Sequence, residues 1–219
     1  MNIIIYGKGD FAKLVYYYLK NDSKYVVCGF CVDEKYLDSE VFCELPLISF
    51  ESIEKTYPSS SYKIFVAIGY ANMRARKIMY MKAKDKGYQF INYISSKAYI
   101  DSSVVIGVNN IVLQGSTIEA FVEIGDNNII WASCNISHNV KIESHSFIST
   151  QSLIGGFSEI KNNCFLGFNS TVIDNVIIEN ETLVGAKTLI LKNTQKYTKY
   201  IGNPAKKVST HKNVGIHIK

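Results

Sequence analysis

"IWASCNISHNVKIESHSFIST", residues 130–150, puts isoleucine at 130, 136, 142 and 148. The spacing continues in both directions. An aliphatic residue recurs every six positions at Ile94, Ile100, Ile106, Val112, Ile118, Ile124, Ile130, Ile136, Ile142, Ile148, Ile154, Ile160, Leu166, Val172, Ile178, Val184 and Ile190, seventeen in one unbroken register. An α-helix repeats about every 3.6 residues and a strand every two, so neither carries this period. Stacked hexapeptides do. Each makes a short strand and a corner, and three close a triangular coil of eighteen residues in which each rung buries the next. About five such coils fit between Ile94 and Ile190.

Two further positions of the hexapeptide agree. Four residues after each aliphatic stands a mostly small one, such as Ala98, Ser116, Cys134, Ser146, Ser158, Cys164, Ser170 or Thr188. Three residues after it, Asn stands at 109, 127, 139, 163, 169, 175 and 193, and Gly at 115. Asn and Gly take positive φ at low cost, so this position is read as the corner. Proline is absent from the repeat, as continuous ladders require.

The first 90 residues follow another rule. "NIIIYG" is a buried-strand run ended by glycine, and "DFAKLVYYYLKN" has apolar residues at helical spacing. "YVVCGFCVD" and "KIFVAIG" read as further strands, and "NMRARKIMYMKAKDKG" as an amphipathic helix closed by Gly87. Alternating strands and helices predict a small parallel α/β sheet, half of a dinucleotide-binding fold. The division falls at residues 1–90 and 91–219.

Composition bounds the function. Of 219 residues, 47% are apolar and 20% charged, with a net charge of +5. That charge is too mild to imply nucleic acid and suits a small polyphosphate. No apolar run approaches a membrane span. The five cysteines are odd in number, lack CxxC spacing and follow no signal peptide, which reads as free thiols in a cytoplasmic protein. A histidine-rich zinc site wants three or four convergent ligands. The repeat holds two histidines, on different faces, so no metal is expected.

The hexad separates those two histidines. His145 follows Ile142 by three and takes a corner, with Asn127 and Asn163 as rung neighbours. A structural role is expected there, with a ligand contact as the alternative. His138 follows Ile136 by two and lies on an outer edge. Gly155 and Gly156 stand one coil above, aligned with Ser137 and His138, and Ala120 one coil below. Side chains this small leave room for a ligand, although a plain surface histidine fits the position too.

"GKGDFA" gives Gly7, Gly9 and Ala12 a G-x-G-x-x-A spacing between strand and helix, with Asp33 ending the second strand. Such a turn cradles a phosphate on a helix N-terminus. It also serves as a tight βα turn without ligand. NAD is disfavoured, because the α/β half is too short for a full dinucleotide fold and a β-helix offers no hydride-transfer domain.

The unbroken repeat, "IWASCNISHNVKIESHSFIST", and "YIGNPAKKV" after the last coil resemble the left-handed β-helix acyltransferases. "IIIYGKGDFAKLV" and "FVAIGYANMRARK" narrow the resemblance to bacterial sugar acyltransferases, related to the nucleotide-aminosugar N-acetyltransferases and the sialic acid O-acetyltransferases. The resemblance implies an α/β domain followed by a left-handed parallel β-helix. It implies His138 as general base, with Asn139 where many relatives have an acid. Asn139 accepts a hydrogen bond but supplies no full charge, so Glu143 or a residue of another subunit is the candidate support. Acetyl-CoA is the implied cosubstrate, lying between two β-helices of a homotrimer. It implicates Gly156 near the thioester, Phe168 and Ala186 along the pantetheine, and Asn203, Pro204, Ala205 and Lys206 near the nucleotide end. The nucleotide-sugar is assigned to Gly7, Gly9, Asp10, Asp33, Gly69, Asn72 and Arg74. The expected reaction is N-acetylation of a nucleotide-linked amino sugar, a 4-amino-4,6-dideoxyhexose, for O-antigen, capsule or glycan assembly. O-acetylation of a sialic-acid-like sugar and a non-catalytic nucleotide-sugar-binding β-helix are the alternatives.

Overall fold

The computed structural model describes residues 1–218. The chain forms two compact units, one of residues 1–69 and 78–93, the other of residues 70–77 and 94–219.

In the first unit, strands β1 (Asn2–Tyr6), β2 (Val26–Val32), β3 (Val41–Phe42), β4 (Leu45–Ser49) and β5 (Lys63–Val66) form one sheet in the order β3-β4-β2-β1-β5. All pairs are parallel except the β3–β4 hairpin at the edge. Ile3, Ile4, Ile5 and Tyr6 are all inaccessible to solvent. A parallel strand covered on both faces demands such a continuous apolar run. Helix α1 (Asp10–Asn21) buries Ala12, Val15 and Leu19, one stripe at helical spacing. The crossovers bring the carboxyl ends of β1, β2 and β5 together, so Gly7, Asp33 and the Ala67–Gly69 stretch share one edge of the sheet.

In the second unit the hexad becomes seventeen two-residue strands, from Tyr93–Ile94 to Leu189–Ile190, each ending on its aliphatic residue. They form three parallel sheets with partners eighteen residues apart, as in Thr117–Ile118 on Asn135–Ile136 on Leu153–Ile154. We number the faces by these sheets. The first carries Asn135–Ile136, the second Lys141–Ile142 and the third Phe147–Ile148. The aliphatic column from Val112 to Ile190 is almost wholly buried and forms one core cluster. Buried polar residues run alongside it in the same period. Ser116 Oγ donates to the Trp131 carbonyl and accepts from Cys134 N, and Ser146 Oγ repeats this with Lys161 and Cys164. Because every rung packs against two others, Ile148→Val should cost about 0.5–1.5 kcal/mol. A lowered denaturant midpoint at unchanged slope is the expected reading.

The corners take positive φ, including Asn109, Asn127, Asn139, Asn163, Asn169, Asn175 and Gly115. The exceptions lie at the ends of the repeat, where Lys97 and Ser103 at its start and Asn193 at its finish are not among the positive-φ residues; of these, Asn193 alone is an expected Asn corner. It follows the last hexad, and its Oδ1 instead accepts from Ile177 N at 2.9 Å. Beyond it, Thr198–Ile201 extends the third sheet and Lys206–Thr210 folds back antiparallel.

The unit boundary differs from the expected one. Residues 70–77 belong with the β-helix because side chains pin them there. Tyr70 packs edge-on to Phe147 with ring centroids 4.7 Å apart. Arg76 is buried and donates to the Asn127 carbonyl at 2.8 Å and more weakly to those of His145 and Ser146. Burial lowers its pKa to about 9, which still leaves it charged at neutral pH.

Candidate active site

His138 sits in the turn that leads from the first face to the second. Its side chain is exposed, in contrast to His145. Next to it, Asn139 takes the left-handed corner at φ +59. That bend brings Asn139 Oδ1 to 3.1 Å from His138 Nδ1. An amide oxygen only accepts, so this contact favours the proton on Nδ1, and in the neutral ring Nε2 then keeps the lone pair. The backbone N–H of His138 donates to Glu119 Oε2 at 2.9 Å. Its carbonyl accepts from Phe157 N at 3.2 Å, and the Phe157 ring meets the imidazole edge-on at 5.2 Å.

Gly156 lies against the same ring. A Cβ built on it would come within 2.9 Å of His138 Cε1 and 3.2 Å of Nε2. The imidazole therefore occupies space that any other residue at 156 would fill.

Glu143 does not support His138 within the chain. It lies on the second face and is taken up by Asn162 Nδ2 and by Lys161 Nζ at 3.1 Å. The physical reason is register. Glu143 directly follows the second-face strand, where its neighbours are the charges one coil on. The residue that does touch His138 is Glu119, which has the coil's eighteen-residue relation to Ser137. That relation is the signal in the sequence that could have found it.

His145 is structural. It is buried at φ +68, and Asn127 Nδ2 donates to its Nδ1 at 3.0 Å.

The other positions assigned to the acyl donor fall elsewhere. Phe168 and Ala186 occupy the corner from the third face to the first, where Lys187 N donates to the Phe168 carbonyl. Phe168 is 58% exposed. It stands five hexapeptides after His138, and five is not a multiple of three, so the two share no corner. Asn203, Pro204 and Ala205 lie in the hairpin turn, with a cis bond at Asn203–Pro204, and Lys206 opens the returning strand; Asn203, Pro204 and Lys206 are exposed, while Ala205 is partly buried against the β-helix core. Pro204 and Ala205 border a cavity of about 470 Å³ with Leu191, Lys192 and Tyr200.

In the first unit, Gly7 has φ +138, and a Cβ there would lie 2.7 Å from the Ala67 carbonyl oxygen. Only glycine fits this crossing of β1 and the β5 end. Gly9 is the extended N-cap of α1, Asp10 lies in the helix's first turn, and Gly69 is open beyond Phe11. The neighbouring Lys8 pairs with Asp38 at 2.5 Å. Asp33 is buried. Desolvation raises its pKa, but the hydrogen bonds from Tyr6 and Lys82 outweigh it, and the carboxyl is held below its ordinary range. Lys82 Nζ lies 3.0 Å from Asp33 Oδ2. Neither Tyr6 nor Lys82 was evident as a partner from spacing, because the fold brings together residues far apart in the chain.

Asn72 and Arg74 belong to the second unit and are otherwise engaged. Asn72 Oδ1 accepts from Ala75 N at the start of helix α2 (Met73–Asp85). Arg74 spends Nε on Glu181 and its other two nitrogens on the carbonyls of Asn213 and Lys212. A guanidinium bound on three sides is a clamp for the C-terminal segment.

All five cysteines are free, and burial pushes the thiols of Cys134 and Cys164 up to about 12, which makes them poor nucleophiles. Among the described residues no cluster of three or more His, Cys, Asp or Glu side chains could hold a metal ion. No helix among them is long and apolar enough to cross a membrane.

Comparison with known proteins bears on the whole chain. The PglD N-terminal domain family matches residues 2–83, and the GMPPB C-terminal domain family matches residues 90–199. No curated protein matches by sequence. Among solved structures, PerB from Caulobacter crescentus, in complex with CoA and GDP-perosamine, is 25% identical with a TM-score of 0.84, covering 95% of this chain and 98% of that one. The acetyltransferase domain of PglB from Neisseria gonorrhoeae is 19% identical with a TM-score of 0.82, covering 94% of this chain and 99% of that one. WeeI from Acinetobacter baumannii is 19% identical with a TM-score of 0.80, covering 95% of this chain and all of that one (100%). These last two show a shared fold. Matched over half its length, residues 90–199, by the GMPPB C-terminal domain family, the chain belongs to that family, and its beginning, residues 2–83, matches the PglD N-terminal domain.

Proposed function

We propose that the protein transfers an acetyl group from acetyl-CoA to the amine of a nucleotide-linked amino sugar, with His138 as general base. The observation that carries this is the exposed imidazole, held at Nδ1 by Asn139 and seated on Gly156, with Nε2 left to take a proton. PerB, similar over nearly its full length, was solved with CoA and GDP-perosamine, which supports both substrate classes. In the reaction the amine nitrogen bonds to the thioester carbonyl and the C–S bond breaks. His138 Nε2 takes the amine proton and returns it to the leaving thiolate. An imidazole is near its optimum for this at neutral pH.

Asn139 orients the ring without adding charge. An amine needs less activation than a hydroxyl, so an amide in place of an acid favours N- over O-acetylation. The finer substrate is a 4-amino-4,6-dideoxyhexose destined for a surface glycan. The assembly is a cytoplasmic homotrimer. The separation of His138 from Phe168 and Ala186 supports it, since a donor touching both edges needs them from two copies. Gly7, Gly9 and Asp33 are the nucleotide-binding candidates of the first unit.

The test is thiol release from acetyl-CoA with a panel of UDP-, dTDP- and GDP-aminosugars beside free and CMP-linked nonulosonic acids. Release with an aminosugar is the expected result. Release with the nonulosonic acids alone would replace this reading with O-acetylation.

A further inference from the structure

Acidic residues along the β-helix are repeatedly met by cations. Glu143 and Glu159 share Lys161, Glu123 faces Lys141, and Glu181 takes Arg74. Glu119, like Asp101, Asp174 and Glu179, takes part in no such ion pair among the described residues, but it touches His138. One oxygen, Oε2, accepts the backbone N–H of His138, and no lysine or arginine among the described residues pairs with the carboxylate. Its side chain is half-buried. Phe121 and Phe157 stand one coil before and one coil after Asn139, at φ +62 and +59. They are 63% and 57% exposed. Bulky residues are rarely tolerated at positive φ, and exposed aromatic surface gains nothing within the chain. Both costs fall on the corner that carries His138.

We propose that Glu119 is the seat of the acceptor's amino group, which it receives as an ammonium and holds beside His138. This rests on the acetyl transfer proposed above and deepens it, because it makes the edge selective for amines over hydroxyls. An aliphatic amine is largely protonated at neutral pH. It seeks a carboxylate, and the flanking Phe rings reduce water around the pair and so strengthen it. The His138 N–H fixes one oxygen of Glu119, which leaves Oε1 for the ligand. A hydroxyl acceptor gains no charge pairing there. The protons balance. The ammonium gives one proton to His138 Nε2, which passes it to solvent. The neutral amine then forms the N–C bond as the C–S bond breaks, and its second proton reaches the thiolate. The products are an amide, a thiol and one released proton. The uncharged amide has lost its hold on Glu119, which favours release.

The test uses GDP-perosamine and its N-acetylated product as calorimetric probes on the full chain, with no acetyl donor present. Wild type should bind the amine about tenfold more tightly than the amide, the worth of one charge-assisted hydrogen bond. Glu119→Gln keeps an oxygen for the His138 N–H but carries no charge. It should lose that preference and raise KM for the amino sugar about tenfold, with kcat and KM for acetyl-CoA unchanged. A thermal midpoint equal to wild type checks its folding. A Gln variant that still prefers the amine tenfold overturns the assignment. Because binding is read without acetyl transfer, this outcome is independent of whether thiol release is observed.

Discussion

His138→Ala should lower kcat/KM by about 10²–10⁴, the range general-base catalysis supplies. Folding should be unaffected. The imidazole is exposed and meets Asn139, Phe157 and Gly156 at the surface, so its removal opens no core cavity. The backbone N–H that binds Glu119 remains in the variant. The loss should therefore fall on kcat, with KM for either substrate nearly unchanged, because the ring acts on a proton that moves only in the transition state. Steady-state thiol release reads this directly. Activity within a few-fold of wild type would remove His138 from the mechanism. His145 offers the contrast, since it is buried at a corner and held by Asn127.

Gly156→Ala should cost about 10² in kcat/KM without touching a single polar group. The added methyl would need to sit 2.9 Å from His138 Cε1, closer than a Cβ contact permits. Something must yield, and the exposed imidazole yields more easily than the ladder that holds residue 156, whose carbonyl accepts from Asn175 N at 2.9 Å. Gly156 is not among the residues with positive φ, so alanine brings no backbone penalty. The effect is a displaced base, and a misplacement of about 1 Å at a reacting group can cost that much. An unchanged thermal midpoint with depressed kcat is the expected pair of readings. Unchanged kinetics would mean that the ring works from another rotamer.

The six-residue register by itself determined the β-helix, its strands, nearly all of its corners and the edge on which His138 lies. It could do so because each rung contacts only rungs a fixed eighteen residues away, so the tertiary neighbours are written in the sequence as arithmetic. That arithmetic also separates Phe168 from His138, and it fails at the two ends of the repeat, where Lys97, Ser103 and Asn193 lack the positive φ of the other corners. In the first unit, β1 and the glycine turn were legible because a strand buried on both faces and a crossing that admits no Cβ leave strong local marks. The partners of Asp33 were not. Tyr6 and Lys82 reach it through a sheet and a helix whose packing follows no fixed spacing. The same holds for Arg74 and Arg76, which look like surface cations of an amphipathic helix until the fold lays residues 70–77 against the β-helix. The engagement of Glu119 also waited for the tertiary structure. Register placed it one coil below Ser137, and the tertiary structure adds that the His138 N–H is directed at its carboxylate.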